Sequence, residues 1–332
     1  ACRQAGRCKM SLNEICQSIK KYNNFLITAH ISPEADALGS ALGFYRLIKK
    51  LGKRAIIMSD DQLPYGYDFL PGIKYIRRLG QKFKSIKFDC LVVLDCADLK
   101  RTGRVHKLNI DHKPVLNIDH HISNQAFGDV NWVDARASSC SEMIYRLYKH
   151  LRLPLDKNTA LVLYTGIMTD TGSFRYSNTS SSTFKAAAEL LKFKINVARV
   201  YRYAYENILP SEVKSLLKLL LEIKFFGRGR IAALRIAAEP SGAKIPGTDL
   251  ADYALNFGRA IKGVEVVVLF KDSLSLKSQI RVNLRSQGKV DVNKIASFFG
   301  GGGHKTAAGC TIPGGFLAVR GKVIAKICQD LK

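Results

Sequence analysis

No run of about 18 uninterrupted apolar residues occurs in this 332-residue sequence, so a membrane-spanning helix is not expected. The eight cysteines form no CxxC pair and show no zinc-ligand spacing. Cys90 and Cys96 sit in the apolar run from Phe88 to Ala97, where small buried thiols are common. Reduced thiols in a cytoplasmic protein are the expectation. Ala1 to Lys9 carries charge with no apolar segment behind it, so no secretory signal is expected there. Met10 opens a plausible helix, and the nine residues before it receive no function. Internal repeats and low-complexity tracts are absent.

Acidic side chains are also scarce. Against 52 Lys and Arg stand 27 Asp and Glu, a net charge of +25. Such an excess creates a field that attracts phosphates. Lysine is spread along the whole chain, however, so charge alone leaves nucleic-acid binding undecided.

What is present is ordinary globular material, 47% apolar and 24% charged, in a chain long enough for two cores. Asn23 to Ala29, Arg54 to Met58, Cys90 to Leu94 and Pro114 to Ile118 read as short buried strands. Helical spacing recurs at Ala37 to Leu51, Ser141 to Leu151, Asn158 to Thr169 and Ser182 to Lys192. Short apolar strands alternating with helices predict an α/β fold whose N-terminal sheet is mostly parallel and flanked by helices. Residues 10–190 are taken as that domain, and 191–226, helical and basic, as a connector. A smaller α/β domain over 227–332 has strands near Ile231 to Ala237, Val264 to Phe270 and Ser278 to Leu284, and helices at Val292 to Phe298 and Phe316 to Leu331.

Chemistry-bearing residues gather at the predicted strand ends. His30, Glu34 and Asp36 follow the first strand, Asp95 ends the third and Asp119-His120-His121 ends the fourth. Ligands of open α/β sheets bind at such carboxyl ends. A carboxylate closing an apolar strand is costly unless it is exposed, capped or bound to a metal. Three metal-competent side chains in a row at a buried strand end are hard to explain by packing. Asp170 closes an almost wholly apolar helix, where the helix dipole disfavours a carboxylate. Arg175, Tyr176 and Asn178 follow, offering a guanidinium fork, an aromatic face and an amide to a nucleotide. Oxygen and imidazole ligands from several strand ends are what a two-metal phosphoesterase site requires. Late in the chain, Gly300 to Gly303 and His304 lack the full Walker pattern. Bare backbone N–H groups in such a run can form an anion-binding nest, and Lys305 adds charge.

In this order, the segments resemble the DHH phosphoesterase superfamily, and within it the DHH–DHHA1 subfamily of nanoRNases and 3′-phosphoadenosine-5′-phosphate (pAp) phosphatases. The naming triplet is Asp119-His120-His121, and Gly301-Gly302-Gly303-His304 marks the second domain. The resemblance runs from Met10 onward and implies a catalytic metal-binding domain followed by a substrate-binding one. It implies that His30, Glu34 and Asp95 hold one divalent ion, and that Asp36, Asp95, His120 and Asp170 hold a second, with Asp95 bridging. Mn²⁺ is the preferred ion, with Mg²⁺ the alternative. His121 then lies near the scissile phosphate and Asp119 orients the neighbouring histidines. His304 and the glycine amides, with Arg285 and Ser286, grip the distal phosphate or terminal nucleotide. One departure stands out: the family's Asp-Gly-Asp is Glu34-Ala35-Asp36 here. The extra methylene shifts the carboxylate by about 1.5 Å, which bears on metal affinity more than on reaction class.

The expected activity is hydrolysis of very short RNA or of pAp. Linear or cyclic dinucleotides are alternative substrates. Inorganic pyrophosphatase is less favoured, because that branch lacks the glycine–histidine run, and a RecJ-type exonuclease would need extra domains. A non-catalytic RNA- or nucleotide-binding module is the alternative from another class, disfavoured by the intact ligand positions. The expected partner is thus a short RNA or nucleotide, with no membrane, and a homodimer is the default for a soluble oligomer.

Overall fold

The computed structural model describes residues 2–64, 66–80, 86–237, 250–272 and 279–331, with the side chains of residues 2–10 outside that description. The chain divides into two compact units, residues 1–207 and 208–332.

In the first unit, α1 (Cys2–Lys21) leads into β1 (Asn24–Thr28), α2 (Ala35–Lys50), β2 (Arg54–Ser59), β3 (Ile76–Arg78), β4 (Cys90–Leu94), β5 (Val115–Asp119) and β6 (Val130–Val133). Helices α3 (Cys140–His150), α4 (Lys157–Asp170), α5 (Ser181–Leu191) and α6 (Val197–Tyr205) follow. The six strands form one sheet in the order β3-β2-β1-β4-β5-β6, and every pairing is parallel. Parallel strands need both faces covered, which is why β1, β4 and β5 read as continuous apolar runs. Alternate residues serve opposite sides: Phe25, Ile27, Val92, Leu94 and Leu116 pack with α1 to α5, whereas Leu26, Leu91, Val93 and Val115 pack with loop residues and two 3₁₀ turns at Leu99–Thr102 and Val105–Leu108. Strand order reverses between β1 and β4, and at such a switch point the loops diverge and leave a crevice.

Helices α2 and α4 cross closely because small residues line the contact. A Cβ on Gly39 would lie 2.5 Å from the Val162 carbonyl oxygen, and one on Gly166 would lie 2.7 Å from Asp36 Oδ1. The close crossing holds the first turn of α2 against the last turn of α4. Side-chain caps set the helix starts: Ser139 Oγ accepts from Glu142 N at 3.0 Å and Asp156 Oδ1 from Thr159 N at 2.8 Å, each worth about 1 kcal/mol.

The second unit comprises α7 (Pro210–Leu221), β7 (Lys224–Phe226), β8 (Ile231–Ile236), α8 (Leu250–Ala260), β9 (Val266–Asp272), β10 (Gln279–Ser286), α9 (Val292–Phe298), β11 (Gly302–His304), β12 (Ala307–Pro313) and α10 (Phe316–Asp330). Its sheet has the order β11-β12-β10-β9-β8-β7, with only β8 and β9 parallel. One face buries Val292, Ile295, Val319, Val323 and Ile327 of α9 and α10. The other buries Leu219, Ala254 and Leu255 of α7 and α8. The strand expected from Ser278 begins at Gln279 among the described residues, and Ser278 itself lies outside them.

The glycine run is largely a strand. Gly302, Gly303 and His304 pair with Gly309, Ala308 and Ala307. A Cβ on Gly301 would meet Cys310 Cβ at 2.5 Å, and Gly303 holds φ +148° with Ala307 O equally close. Close backbone approach is therefore one physical requirement for glycine there. Among the described residues of α-helices, none is long and apolar enough to cross a membrane.

Candidate active site

Three loops of the first unit build the cluster. His30 leaves β1, Asp95 leaves β4 and Asp119-His120-His121 leaves β5, all at carboxyl ends and around the switch point. Asp36 joins them from the first turn of α2, and Asp170 from the end of α4. Asp36, Asp95, Asp119 and His120 are no more than 4% exposed, and His30 is 9% exposed. Burying so many ionisable groups is tolerable only if they are paired or hold a cation.

Asp95 is the centre. Its backbone is left-handed, φ +52°, a region that among residues with a side chain Asn and Asp enter most readily. Its Oδ2 lies 3.6 Å from His30 Nε2, and its Oδ1 lies 3.4 Å from His120 Nε2 and 3.7 Å from His121 Nδ1. Although buried, Oδ1 has no partner with hydrogen-bond geometry among the described residues.

The histidines share a pattern. His30 Nδ1 faces the Ile31 carbonyl at 2.7 Å, His120 Nδ1 faces the Ala137 carbonyl at 3.4 Å, and His121 Nδ1 faces Asp119 Oδ1 at 2.7 Å. Carbonyl and carboxylate oxygens only accept, so each Nδ1 carries the proton and each Nε2 is the nitrogen offered to a ligand. His120 Nε2 lies 3.4 to 3.9 Å from oxygens of Asp95, Asp170 and Asp36. One oxygen each of Asp36 and Asp170 and a nitrogen of His120 fall within 4.8 Å of one another, as do ligand atoms of Asp95, Asp119 and His121.

Two of the carboxylates are locked before any ligand arrives. Asp36 Oδ2 accepts from Cys140 N at 2.6 Å and Oδ1 from Ser141 N at 2.8 Å, at the start of α3, where the helix dipole favours an anion. Asp119 accepts from His121 at one oxygen and from Asn124 Nδ2 at the other, 2.6 Å away. Asn124 also donates to Asn117 Oδ1 at 2.8 Å. Neither Asn117 nor Asn124 stands out as a site residue in the sequence; the one visible signal is a polar residue inside the apolar strand Val115–Ile118.

Crowding of like charge shows in the protonation equilibria. Burial, then the neighbouring Asp95, raises the Asp36 carboxyl to about 6. Burial raises Asp170 well above the usual carboxylate range, partly offset by His120. Asp95 goes the other way: burial opposes its charge, but contacts with His120 and His30 outweigh it and hold the carboxyl well below its ordinary value. Burial likewise opposes charge on His120, yet Asp170 and Asp95 raise it well above an ordinary imidazole. His30 is raised by Asp95 against the same burial effect. Protons thus sit where a cation would. Mixed imidazole and carboxylate donors, with buried Asp95 Oδ1 lacking a hydrogen bond, fit a divalent metal ion.

Other candidate residues lie outside this knot. Glu34 is exposed and stands at the cap position of α2 without a side-chain cap bond, and its charge is among those acting on Asp170. Asn178 Nδ2 donates to Ser138 O at 2.9 Å and Asp170 O at 3.1 Å, so its amide steadies Asp170. Arg175 Nε donates to Gly172 O at 2.9 Å, and Tyr176 packs against Gly172. In the second unit, register sets Arg285 and His304 on either side of Ala307. Arg285 also reaches Asp252 at 3.3 Å, and buried Ser286 accepts from Gly288 N at 3.3 Å.

Residues 24–167 match the model of the DHH family N-terminal domain, and residues 231–332 match that of the DHHA1 domain. The bifunctional oligoribonuclease and PAP phosphatase NrnA of Thermus thermophilus is 32% identical over 289 residues, covering 87% of this chain and 84% of that one. The chain belongs to the DHH family. The NrnA of Bacillus subtilis is 28% identical, with 90% and 92% of the two chains covered. Among solved DHH-type folds, an exopolyphosphatase-related protein from Bacteroides fragilis superposes with a TM-score of 0.83 at 25% identity over 97% of both chains. RecJ from Thermus thermophilus, solved with Mn²⁺, shares the fold at a TM-score of 0.52 and 14% identity, over 97% of this chain and 55% of that one.

Proposed function

We propose that this DHH protein is a metal-dependent phosphoesterase that hydrolyses very short RNA to mononucleotides and pAp to AMP. The observation that carries the reading is the convergence of His30, His120 and His121 on the buried Asp95, with Asp36 and Asp170 completing an anionic pocket at the switch point. The NrnA relatives, whose names record both activities, support the choice of substrates.

Two divalent ions, Mn²⁺ in preference to Mg²⁺, would be held by Asp36, Asp95, His120 and Asp170 and by His30 and Asp95, with exposed Glu34 the further donor assigned to the latter. When bound, such ions neutralise phosphoryl oxygens and lower the pKa of water. The rest falls to the chain. The start of α3 and Asn178 fix Asp36 and Asp170, so little reorganisation is needed at the moment of reaction. Asp119 accepts from His121 Nδ1 and so aims Nε2 outward, where with both nitrogens protonated its N–H would donate to the phosphate or its leaving oxygen. Arg175 and Tyr176 are assigned to the nucleotide. Arg285, Ser286, Gly301, Gly302, Gly303 and His304 are assigned to the distal phosphate. The cysteines described, Cys16, Cys90, Cys96, Cys140, Cys310 and Cys328, are free and mostly buried, in keeping with the cytoplasmic setting proposed.

The test is a time course with purified protein, Mn²⁺ and a labelled RNA dinucleotide, with pAp in parallel and EDTA as control. Mononucleotide and AMP release that EDTA abolishes is the expected result. Intact substrates in the presence of bound Mn²⁺ would overturn the reading.

A further inference from the structure

The second unit carries a pocket of about 430 Å³ between α9 and α10, lined by Lys289, Asp291 and Lys294 at the start of the helix that packs on β11 and β12. Its walls hold three ammonium groups and one aromatic ring: Lys289, Lys294, Lys326 and Phe298. Phe298 is 69% exposed, so its ring is open to a stacking partner. Lys326 Nζ sits 5.5 Å from the centre of that ring, and Phe299 meets it edge-on at 5.0 Å, so the ring is braced from two sides. Acidic groups line the pocket too, but both have partners. Asp291 accepts from the Asn293 and Lys294 amides, and Asp330 pairs with Lys326 at 3.1 Å. Lys289 makes a long contact of 3.4 Å to Glu265 while 77% exposed, a pairing worth little in water. Lys294 is exposed and makes no ion pair among the described residues.

We infer that this pocket binds one nucleotide of a single-stranded nucleic acid, the base stacked on Phe298 and the phosphate between Lys294 and Lys289. An aromatic platform beside ammonium groups is the general chemistry of sequence-tolerant single-strand binding, and lysine meets phosphate as a point charge. The volume lies in the range of small-ligand pockets. An acidic peptide would satisfy the lysines but leave the exposed ring unused, which is why a nucleotide is favoured. The pocket is thus an anchor for strands longer than the reacting unit, and it goes beyond the reaction proposed above.

The experiment uses the full chain in EDTA, where no strand is cut, and a fluorescein-labelled 12-nucleotide oligouridylate read by anisotropy. Phe298→Ala is expected to weaken binding about tenfold. Lys294→Ala should lower the slope of log affinity against log salt by about 0.7. In Phe298→Trp the strand should quench the new indole, since Trp132 is buried. In Mn²⁺, pAp turnover by all three variants should equal wild type. Unchanged 12-mer affinity in both Phe298→Ala and Lys294→Ala overturns the inference. So does weaker binding without indole quenching, which would mark a site for any polyanion. A parallel loss of pAp turnover would place the pocket in the reacting site and overturn it as a separate anchor. A wild-type protein that binds the 12-mer here yet hydrolyses nothing would sink the phosphoesterase reading alone.

Discussion

Asn124 donates from Nδ2 to Asp119 at 2.6 Å, on the carboxylate oxygen opposite the one that receives the His121 proton. The imidazole is therefore aimed by a chain of two side chains, neither of which faces solvent freely. Substituting Asn124→Ala should leave Asp119 half satisfied and let His121 turn. Turnover of pAp at saturation should slow by about one to two orders of magnitude while KM stays nearly unchanged, as steady-state kinetics would show. A loss confined to KM would contradict the aiming role.

Asp95 combines a left-handed backbone with the central charge of the cluster. Asparagine tolerates that backbone, so Asp95→Asn isolates the charge. Turnover should drop at least about 1,000-fold (~4 kcal/mol), while the melting temperature in EDTA stays within a few degrees. Asp95→Ala should lose activity equally and also about 1 kcal/mol of stability to backbone strain. Urea titrations of both variants separate the two effects.

The glycines at the α2–α4 crossing separate stability from site geometry. Gly39→Ala places a methyl 2.5 Å from the Val162 carbonyl and should cost about 1–3 kcal/mol by overpacking. Gly166→Ala presses on Asp36 and Ser141. It should weaken Mn²⁺ binding in addition, as isothermal titration would show. Equal Mn²⁺ affinity in both variants would argue that Asp36 is not held by this contact.

Protonation predicts how metal and pH interact. On the acid side, Asp119 is lowered from 3.8 to about 2, burial notwithstanding, by His121. Its stabilisation of about 2 kcal/mol is present above about pH 4 and lost as pH falls towards 2. On the other side, Asp36 is raised to about 6. The folded state therefore holds its proton between about pH 4 and 6, and stability falls as pH rises through that window. His30, raised above 6.5, adds stability that is complete below 6.5 and lost as pH climbs through its raised value. A bound divalent ion replaces those protons. The gain in melting temperature on adding Mn²⁺ should accordingly be larger at about pH 8 than at about pH 5, and equal gains would count against a metal at Asp36.

Much of this was legible in the sequence, for identifiable reasons. Strands β1, β4 and β5 are apolar along their length because a parallel sheet buries both faces, and their terminal His30, Asp95 and Asp119 stood out against that background. Strands β3 and β6 did not stand out, being short and mixed, with Arg77 and Arg78 in one and Asn131 in the other. The capture of Asp36 by the α3 amides joins residues 104 positions apart in the chain, and backbone donors carry no sequence signature. Asn178 has the chemistry of a donor to substrate, yet its amide turns inward to Ser138 and Asp170, a choice made by the packing of α4 against the turn that follows it.

Every residue of the buried histidine–aspartate knot lies between positions 30 and 170, inside the first compact unit. Chains emerge and fold from the N-terminus onward, so the cluster proposed to hold cations is complete while the last third of the protein is still being made. A growing chain would thus acquire its ions before it owns the residues proposed to grip a substrate, and the order of synthesis would separate charging of the site from its first use.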